Sequence, residues 1–353
     1  MPPLSKFPKS TSRRSIPLGL LCLLFSSASL VAQTYDPATE DAEILVPSIV
    51  SKALFTDIVA TKTGALAVGE RGHILKTSNY NDWVQVPVPT RSLLTNMFAR
   101  DANLWAVGHE EVIIHSADGG ATWKRQYVNS EAFGPLLDIL FLDDVTGFAV
   151  GAEGKMLTTS DAGTTWVDGN ITARLIGDSV AAAAADSDEG GLASDDIGVD
   201  ETPPHLNAIV QNKAGLLIVG ETGAAFNSRD AGASWARLDF PYSGPLFGAL
   251  VLDDESIIAY GLGGNAYLTT DLGGSWAKLE TNTDASLFGA VAVKGARAVL
   301  VGARGTFLTK SADSSALKAF TFSDGGVLAG VVQRGDSDFT VVGENGILAY
   351  SPK

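Results

Sequence analysis

Apolar residues fall in short bursts along most of the chain, and seven of these bursts end on glycine. The endings are Ala67-Val68-Gly69, Ala106-Val107-Gly108, Ala149-Val150-Gly151, Ile218-Val219-Gly220, Ala259-Tyr260-Gly261, Leu300-Val301-Gly302 and Val341-Val342-Gly343. Their glycines are spaced by 39, 43, 69, 41, 41 and 41 residues. The second period shows the layout. Leu93 to Ala99 reads as the inner strand, Leu104 to Gly108 follows, and then come Val112 to Ser116 and Trp123 to Tyr127. Bursts of this length and period read as strands. Four strands repeated about every 40 residues read as the blades of a propeller. The pattern predicts an all-β fold, a seven-bladed β-propeller with four-stranded blades.

Two turn signatures sit in phase with the period. Between strands two and three most blades carry Gly-x-x-Gly, as in Gly69-Glu70-Arg71-Gly72, Gly220-Glu221-Thr222-Gly223 and Gly302-Ala303-Arg304-Gly305, while blade two has Glu111 at the second glycine. Glycine at both ends suits a reversal through backbone angles that other residues resist. Between strands three and four, Ser116 to Trp123 fits the Asp-box pattern Ser/Thr-x-Asp-x-Gly-x-Thr/Ser-Trp, and so do Thr159 to Trp166, Ser228 to Trp235 and Thr269 to Trp276. Its aspartates, Asp118, Asp161, Asp230 and Asp271, are expected to accept backbone N–H groups of their own turns. Its tryptophans, Trp123, Trp166, Trp235 and Trp276, are expected to bury their rings between blades. These are structural roles. Blade one keeps only Trp83, and blade six has Ser311-Ala312-Asp313 without a tryptophan.

The ends and the one long gap complete the organisation. Lys6, Lys9, Arg13 and Arg14 precede an apolar run from Ile16 to Val31, with Ala28 and Ala32 as small residues near its end. That order predicts a secretory signal over 1–32, followed by a short tail over 33–42. Ser12-Arg13-Arg14-Ser15-Ile16 matches a twin-arginine leader only in part, since Pro17 and Leu18 stand where that pattern prefers Leu and Lys, so the general secretory route is expected, with twin-arginine export as the alternative. The propeller is expected over 43–353, with residues 43–48 supplying the fourth strand of blade seven, because Ile44-Leu45-Val46-Pro47 resembles Val84-Gln85-Val86-Pro87. Closure of that kind joins the chain ends and removes a sheet edge. The 69-residue gap is one period plus an insertion within 172–203. Its residues 178–201 hold eight acids and no base, so a disordered acidic loop is expected there.

Charge narrows the partners. The formal charge is −15, and removing residues 1–32 takes away four bases and no acid, leaving −19. Nucleic acid needs clustered Lys and Arg, and anionic lipid repels such a chain. Neither nucleic-acid binding nor membrane insertion after signal removal is expected. The sole cysteine, Cys22, lies in the leader, so the mature chain forms no disulfide.

Turns between strands two and three share a face with the connections between blades. That candidate partner-binding face carries Glu70, Arg71, His109, Glu110, Glu111, Glu153, Glu221, Arg304, Glu344 and Asn345, plus Tyr242 in Phe240-Pro241-Tyr242-Ser243-Gly244-Pro245. It reads either as solvated turns or as a mainly acidic surface for a basic segment. A candidate channel ring comprises Asp57, Asn96, Asp138 and Asn207, then Gly248, Gly289 and Ala329. Those polar groups would line a channel site or bond nearby backbone. The histidines His73, His109, His115 and His205 are dispersed, and no Ser-His-Asp grouping, metal-ligand spacing or cofactor motif emerges.

The Val-Gly-x-x-Gly turns and Asp-boxes over 43–353 resemble the photosystem II assembly and stability factor family. That resemblance implies an exported, non-catalytic seven-bladed propeller that helps build a membrane protein complex. The resemblance also implies an association with transport systems in bacteria without photosynthesis, so the implied partner is a transporter or a photosystem-like assembly, bound by a monomer in a periplasmic or thylakoid-lumen-like compartment. The strong acidity and the insertion depart from the family's photosynthetic members. Asp-boxes also mark sialidases, and a sialidase-like glycosidase or a glycan-binding module is the alternative. Three arginines and a Tyr–Glu pair would then be needed, and Tyr260 and Tyr267 have no evident glutamate partner.

Overall fold

Each apolar burst becomes a strand of one of seven antiparallel sheets that follow one another in chain order. The computed structural model describes residues 36–352 apart from 133, 177–201, 296 and 323–324. The leader expected at 1–32 and nearly all of the insertion expected at 178–201 lie outside the described residues. The inner strands are Phe55–Thr61, Leu94–Arg100, Leu136–Phe141, Leu206–Asn212, Leu246–Val251, Leu287–Val293 and Leu328–Gln333. Each touches the inner strand of the next blade, and the seventh returns to the first, so the ring is a closed seven-bladed propeller. Five blades have four strands. In blade three, bridges from Thr158 to Val167 and from Lys155 to Asn170 stand in for the fourth.

The second strands explain the sequence pattern best. Gly64–Gly69 is buried at all six positions, because a blade packs against a neighbour on each side. A strand covered on both faces loses its polar alternation and reads as a continuous apolar run. Seven separate cores fill the seven seams. Between blades one and two, Leu66, Val68 and Ile74 meet Met97, Leu104, Ala106 and Trp123. Burying a Leu or Ile side chain contributes roughly 1.5–3 kcal/mol.

The repeated glycines have two reasons, and only one is conformational. The first glycine of each turn is extended, with φ between −160° and −175° at Gly220 and Gly108. There the constraint is space: a Cβ on Gly69 would sit 2.0 Å from the Leu54 carbonyl oxygen. The second glycine is left-handed, as at Gly72 with φ +70°, where a Cβ would also strike the Thr90 carbonyl.

The ends close differently from the expectation. Blade seven has three strands, and residues 43–46 form none. Pro47 instead starts a four-residue helix, Pro47–Val50. The Gln85 side chain accepts from Leu45 N and donates to the Glu43 carbonyl, so this segment is held along blade one's outer strand. Leu45, Val50 and Ile347 share the core between blades seven and one, and Ile347 N donates to the Ser51 carbonyl.

Candidate docking face and axial channel

The turn signatures place the two faces. On six blades the turn after the second strand is a 3-10 turn, and its middle residue is left-handed: Arg71, Glu110, Glu153, Thr222, Gly263 and Arg304, with φ between 54° and 64°. Five of these six are not glycine, a conformation that L residues adopt only when the surroundings impose it. The connections between blades cross beside the same turns, since Gly223 N donates to the Gly244 carbonyl and Asn129 N to the Glu110 carbonyl.

Of the expected face residues, Arg71, His109, Glu153, Arg304, Glu344 and Asn345 are exposed, while Glu70, Glu110, Glu221 and Tyr242 are half-buried. Arg304 pairs with Asp284, and His205 lies 3.6 Å from Glu221. The Glu70 carboxylate accepts from Leu54 N. Tyr242 stacks on Tyr267 at 6.2 Å in the seam between blades four and five, so the aromatic connection covers that seam.

Glu111 leaves the face. Only 4% exposed, with φ +48°, it occupies the position that is glycine in the six other blades. Its carboxylate pairs with Lys155 Nζ at 2.9 Å and accepts from Asn129 Nδ2 at 3.2 Å, which ties blade two to blade three. Lys155 also contacts Asp168 at 3.0 Å. A buried pair is costly to break from one side. Glu111→Ala is expected to cost about 2–3 kcal/mol, because Asp168 still screens the lysine. A double-mutant cycle with Lys155→Ala in denaturant checks the coupling.

The opposite face carries the Asp-box turns. Asp118 Oδ1 accepts from Ser116 Oγ, Ala121 N and Thr122 N at 2.8–2.9 Å, and Oδ2 accepts from Thr122 Oγ1 at 2.6 Å. These bonds hold its carboxyl far below the usual range, and Asp230 is lowered to about 2 in the same way. Blade one makes a related turn with Asn79, whose side chain accepts from Asn81 N and Asp82 N. In blade six the register sets Lys310, not Ser311, at the Ser/Thr position, opposite Ala298. Buried Lys310 donates to the Ser311 and Ala312 carbonyls, so an ammonium secures that turn.

The channel ring is present but shifts by one residue on blades four and seven. Every inner strand has a bulge after its first residue. Asp57, Asn96, Asp138, Gly248 and Gly289 then face the second strand in register with Ala208 and Gly330. Asn207 and Ala329 belong to the bulge ring with Thr56 and Thr95. There Thr56 Oγ1 donates to Leu94 O, Thr95 Oγ1 to Leu136 O and Asn207 Nδ2 to Leu246 O, each reaching the next blade. Asp57 accepts from Met97 N at 3.0 Å and Asp138 from Ile209 N at 2.8 Å, so these carboxylates also latch adjacent blades. Burial pushes Asp57 up to about 6 and Asp138 up to about 7, against their backbone bonds. Together the inner strands enclose an axial cavity of about 510 Å³.

Among the described residues the cavity wall contains no arginine, lysine or histidine. A sialidase-like site would need three arginines there. Among the described residues no three His, Cys, Asp or Glu side chains converge as a metal site. His109, Glu110 and Glu111 are adjacent in the chain, but Glu111 turns inward to pair with Lys155 and does not share a ligand set with the other two.

Residues 75–202 match the family model "Photosynthesis system II assembly factor YCF48". No curated protein matches the sequence. Among solved structures, one described as YCF48 bound to a D1 peptide aligns with a TM-score of 0.63 and 14% identity, covering 91% of this chain and 96% of that chain. YCF48 from Cyanidioschyzon merolae aligns at 0.64 and 15% identity, over 89% of this chain and 98% of that one. The virginiamycin B lyase from Staphylococcus aureus aligns at 0.67 with 10% identity, over 89% and 98%. The propeller fold is thus shared with both a peptide-bound protein and an enzyme, and fold alone does not choose between them.

Proposed function

We propose that this β-propeller, whose residues 75–202 match the photosystem II assembly factor family model, is a non-catalytic assembly factor that docks a segment of a membrane protein complex. The observation that carries this reading is the ring of left-handed turns. Five of its blades present one side chain each to the same face, on backbone held rigid by the seams. A rigid array of charged tips suits recognition of an extended partner segment, and a structurally similar propeller, YCF48, is described as bound to a D1 peptide. The charges are sorted around the ring. Exposed Arg71 and Arg304 stand on blades one and six, on either side of blade seven, and exposed Glu153 stands on blade three. With residues 1–32 read as a leader, the propeller acts as a monomer on the far side of the membrane from its synthesis.

The test is affinity purification of the tagged protein from gently solubilised native membranes. Recovery of one stoichiometric membrane complex is expected, and cell fractionation should place the protein in the exported fraction. Arg71→Glu with Glu153→Lys should weaken capture about tenfold at low salt, with unfolding unchanged. Full capture by that double variant would move the docking site off this face.

A further inference from the structure

The axial cavity has two unlike walls. Blades one to three contribute Asp57, Asn96 and Asp138, and blades five and six, which lie across the ring, contribute Phe247, Phe288 and Tyr260. The two phenylalanine rings sit 5.4 Å apart. Asp138 is only 9% exposed, and no cationic side chain lines the cavity to balance the two carboxylates. Their backbone N–H bonds offset part of the desolvation and leave the charge without a counter-ion.

Tyr260 adds an independent observation. The residue is 6% exposed and lines the cavity, and none of the side-chain hydrogen bonds among the described residues involves its hydroxyl. Its position depends on Gly248, directly opposite on the inner strand. A Cβ at Gly248 would fall 2.4 Å from the phenol oxygen. Blade five therefore uses its missing side chain to admit a phenol from the second strand. The phenol oxygen opens onto the cavity, where a ligand can bond to it.

We propose that the axial cavity binds a small organic cation, a primary ammonium or a guanidinium, between the Asp57–Asp138 wall and the Phe247–Phe288–Tyr260 wall. The carboxylates balance its charge, the aromatic faces favour an organic cation over a strongly hydrated metal ion, and the Tyr260 hydroxyl accepts one of its N–H groups. Among the described residues the titratable groups facing the cavity are Asp57, Asp138 and Tyr260. Because burial raises the two carboxyls to about 6 and about 7, binding weakens as pH falls below about 7.

Calorimetric titration of the full chain at pH 8 with N-acetylarginine amide tests this, with the isosteric, uncharged N-acetylcitrulline amide as control. Saturable one-to-one binding of the arginine compound is expected, at least about tenfold tighter than the control. Asp57→Asn with Asp138→Asn should weaken it about tenfold or more. Tyr260→Phe removes no protein hydrogen bond, so it should fold normally and still lose affinity severalfold. It decides the matter if the double variant fails to fold. Absence of saturable binding, equal affinity for citrulline, or unchanged affinity in Tyr260→Phe would overturn the proposal. An arginine inside an extended peptide forms a second arm. Tighter binding there identifies a partner side chain as the cation, and binding of the free compound alone identifies a small metabolite.

Discussion

Trp235→Ala is expected to destabilise the propeller by about 3–5 kcal/mol, read as a lowered denaturation midpoint with an unchanged slope. The ring is fully buried in the seam between blades three and four, with Ile171 and Phe148 from one blade and Leu216 and Phe226 from the other. Phe148 meets it edge-on at 6.4 Å. Its backbone is tied as well, since Trp235 N donates to Arg174 O and its carbonyl accepts from Ile176 N. Truncation therefore leaves a cavity whose walls are two rigid sheets, which collapse poorly into it. Trp166 and Trp276 occupy the same turn position but are half-buried, so their alanine variants should lose about half as much. Equal losses at all three positions would mean that the turn, and not the seam, sets the cost.

The contrast among these tryptophans shows what the chain discloses and what it does not. The blade count was legible because second strands are covered on both sides, which forces an apolar run ending on a glycine with no room for a side chain. The Asp-box turns were legible because their bonds run within eight residues. Features that depend on neighbouring blades were harder to read. A bulge after the first inner-strand residue moves Asn207 from the carboxylate ring to the Thr56 ring, and a one-residue shift leaves no mark in the sequence. Glu111 looked like a solvent-facing turn residue because its partner, Lys155, comes from the next blade. Lys310 was hidden by an adjacent Ser-x-Asp triplet that imitates the motif one residue out of register. Asn79 was missed because the turn it caps is one residue shorter before Trp83. The fourth strand expected of blade seven rested on local similarity to Val84–Pro87. Pro47 at a helix start and the side chain of Gln85 decided that segment instead.

The same cross-blade latches set the second large effect, a pH dependence opposite to that of ordinary paired carboxylates. Asp57 and Asp138 are raised from 3.8 to about 6 and about 7 in the folded state, by burial first. Between pH 4 and pH 7 the native protein therefore holds protons that the unfolded chain has released, and linkage makes stability fall as pH rises through that window. Below pH 4 both states are protonated and the contribution is complete; above about pH 7 it is lost. The Asp-box aspartates run the other way, because their lowered pKa values remove stability as pH falls below the usual carboxylate range. His73 and His115, lowered by burial, also oppose the trend on the acid side of pH 6.5. Comparing the wild type with Asp57→Asn/Asp138→Asn cancels those common terms. The wild type should gain a few kcal/mol relative to the variant as pH drops from 7 to 4. Asn96 already occupies the same register position on blade two, so asparagine fits the ring. Urea midpoints of both proteins at pH 4.5, 6 and 8 measure the difference. A constant gap across that series would mean that the two carboxyls titrate normally and that water reaches them in the channel.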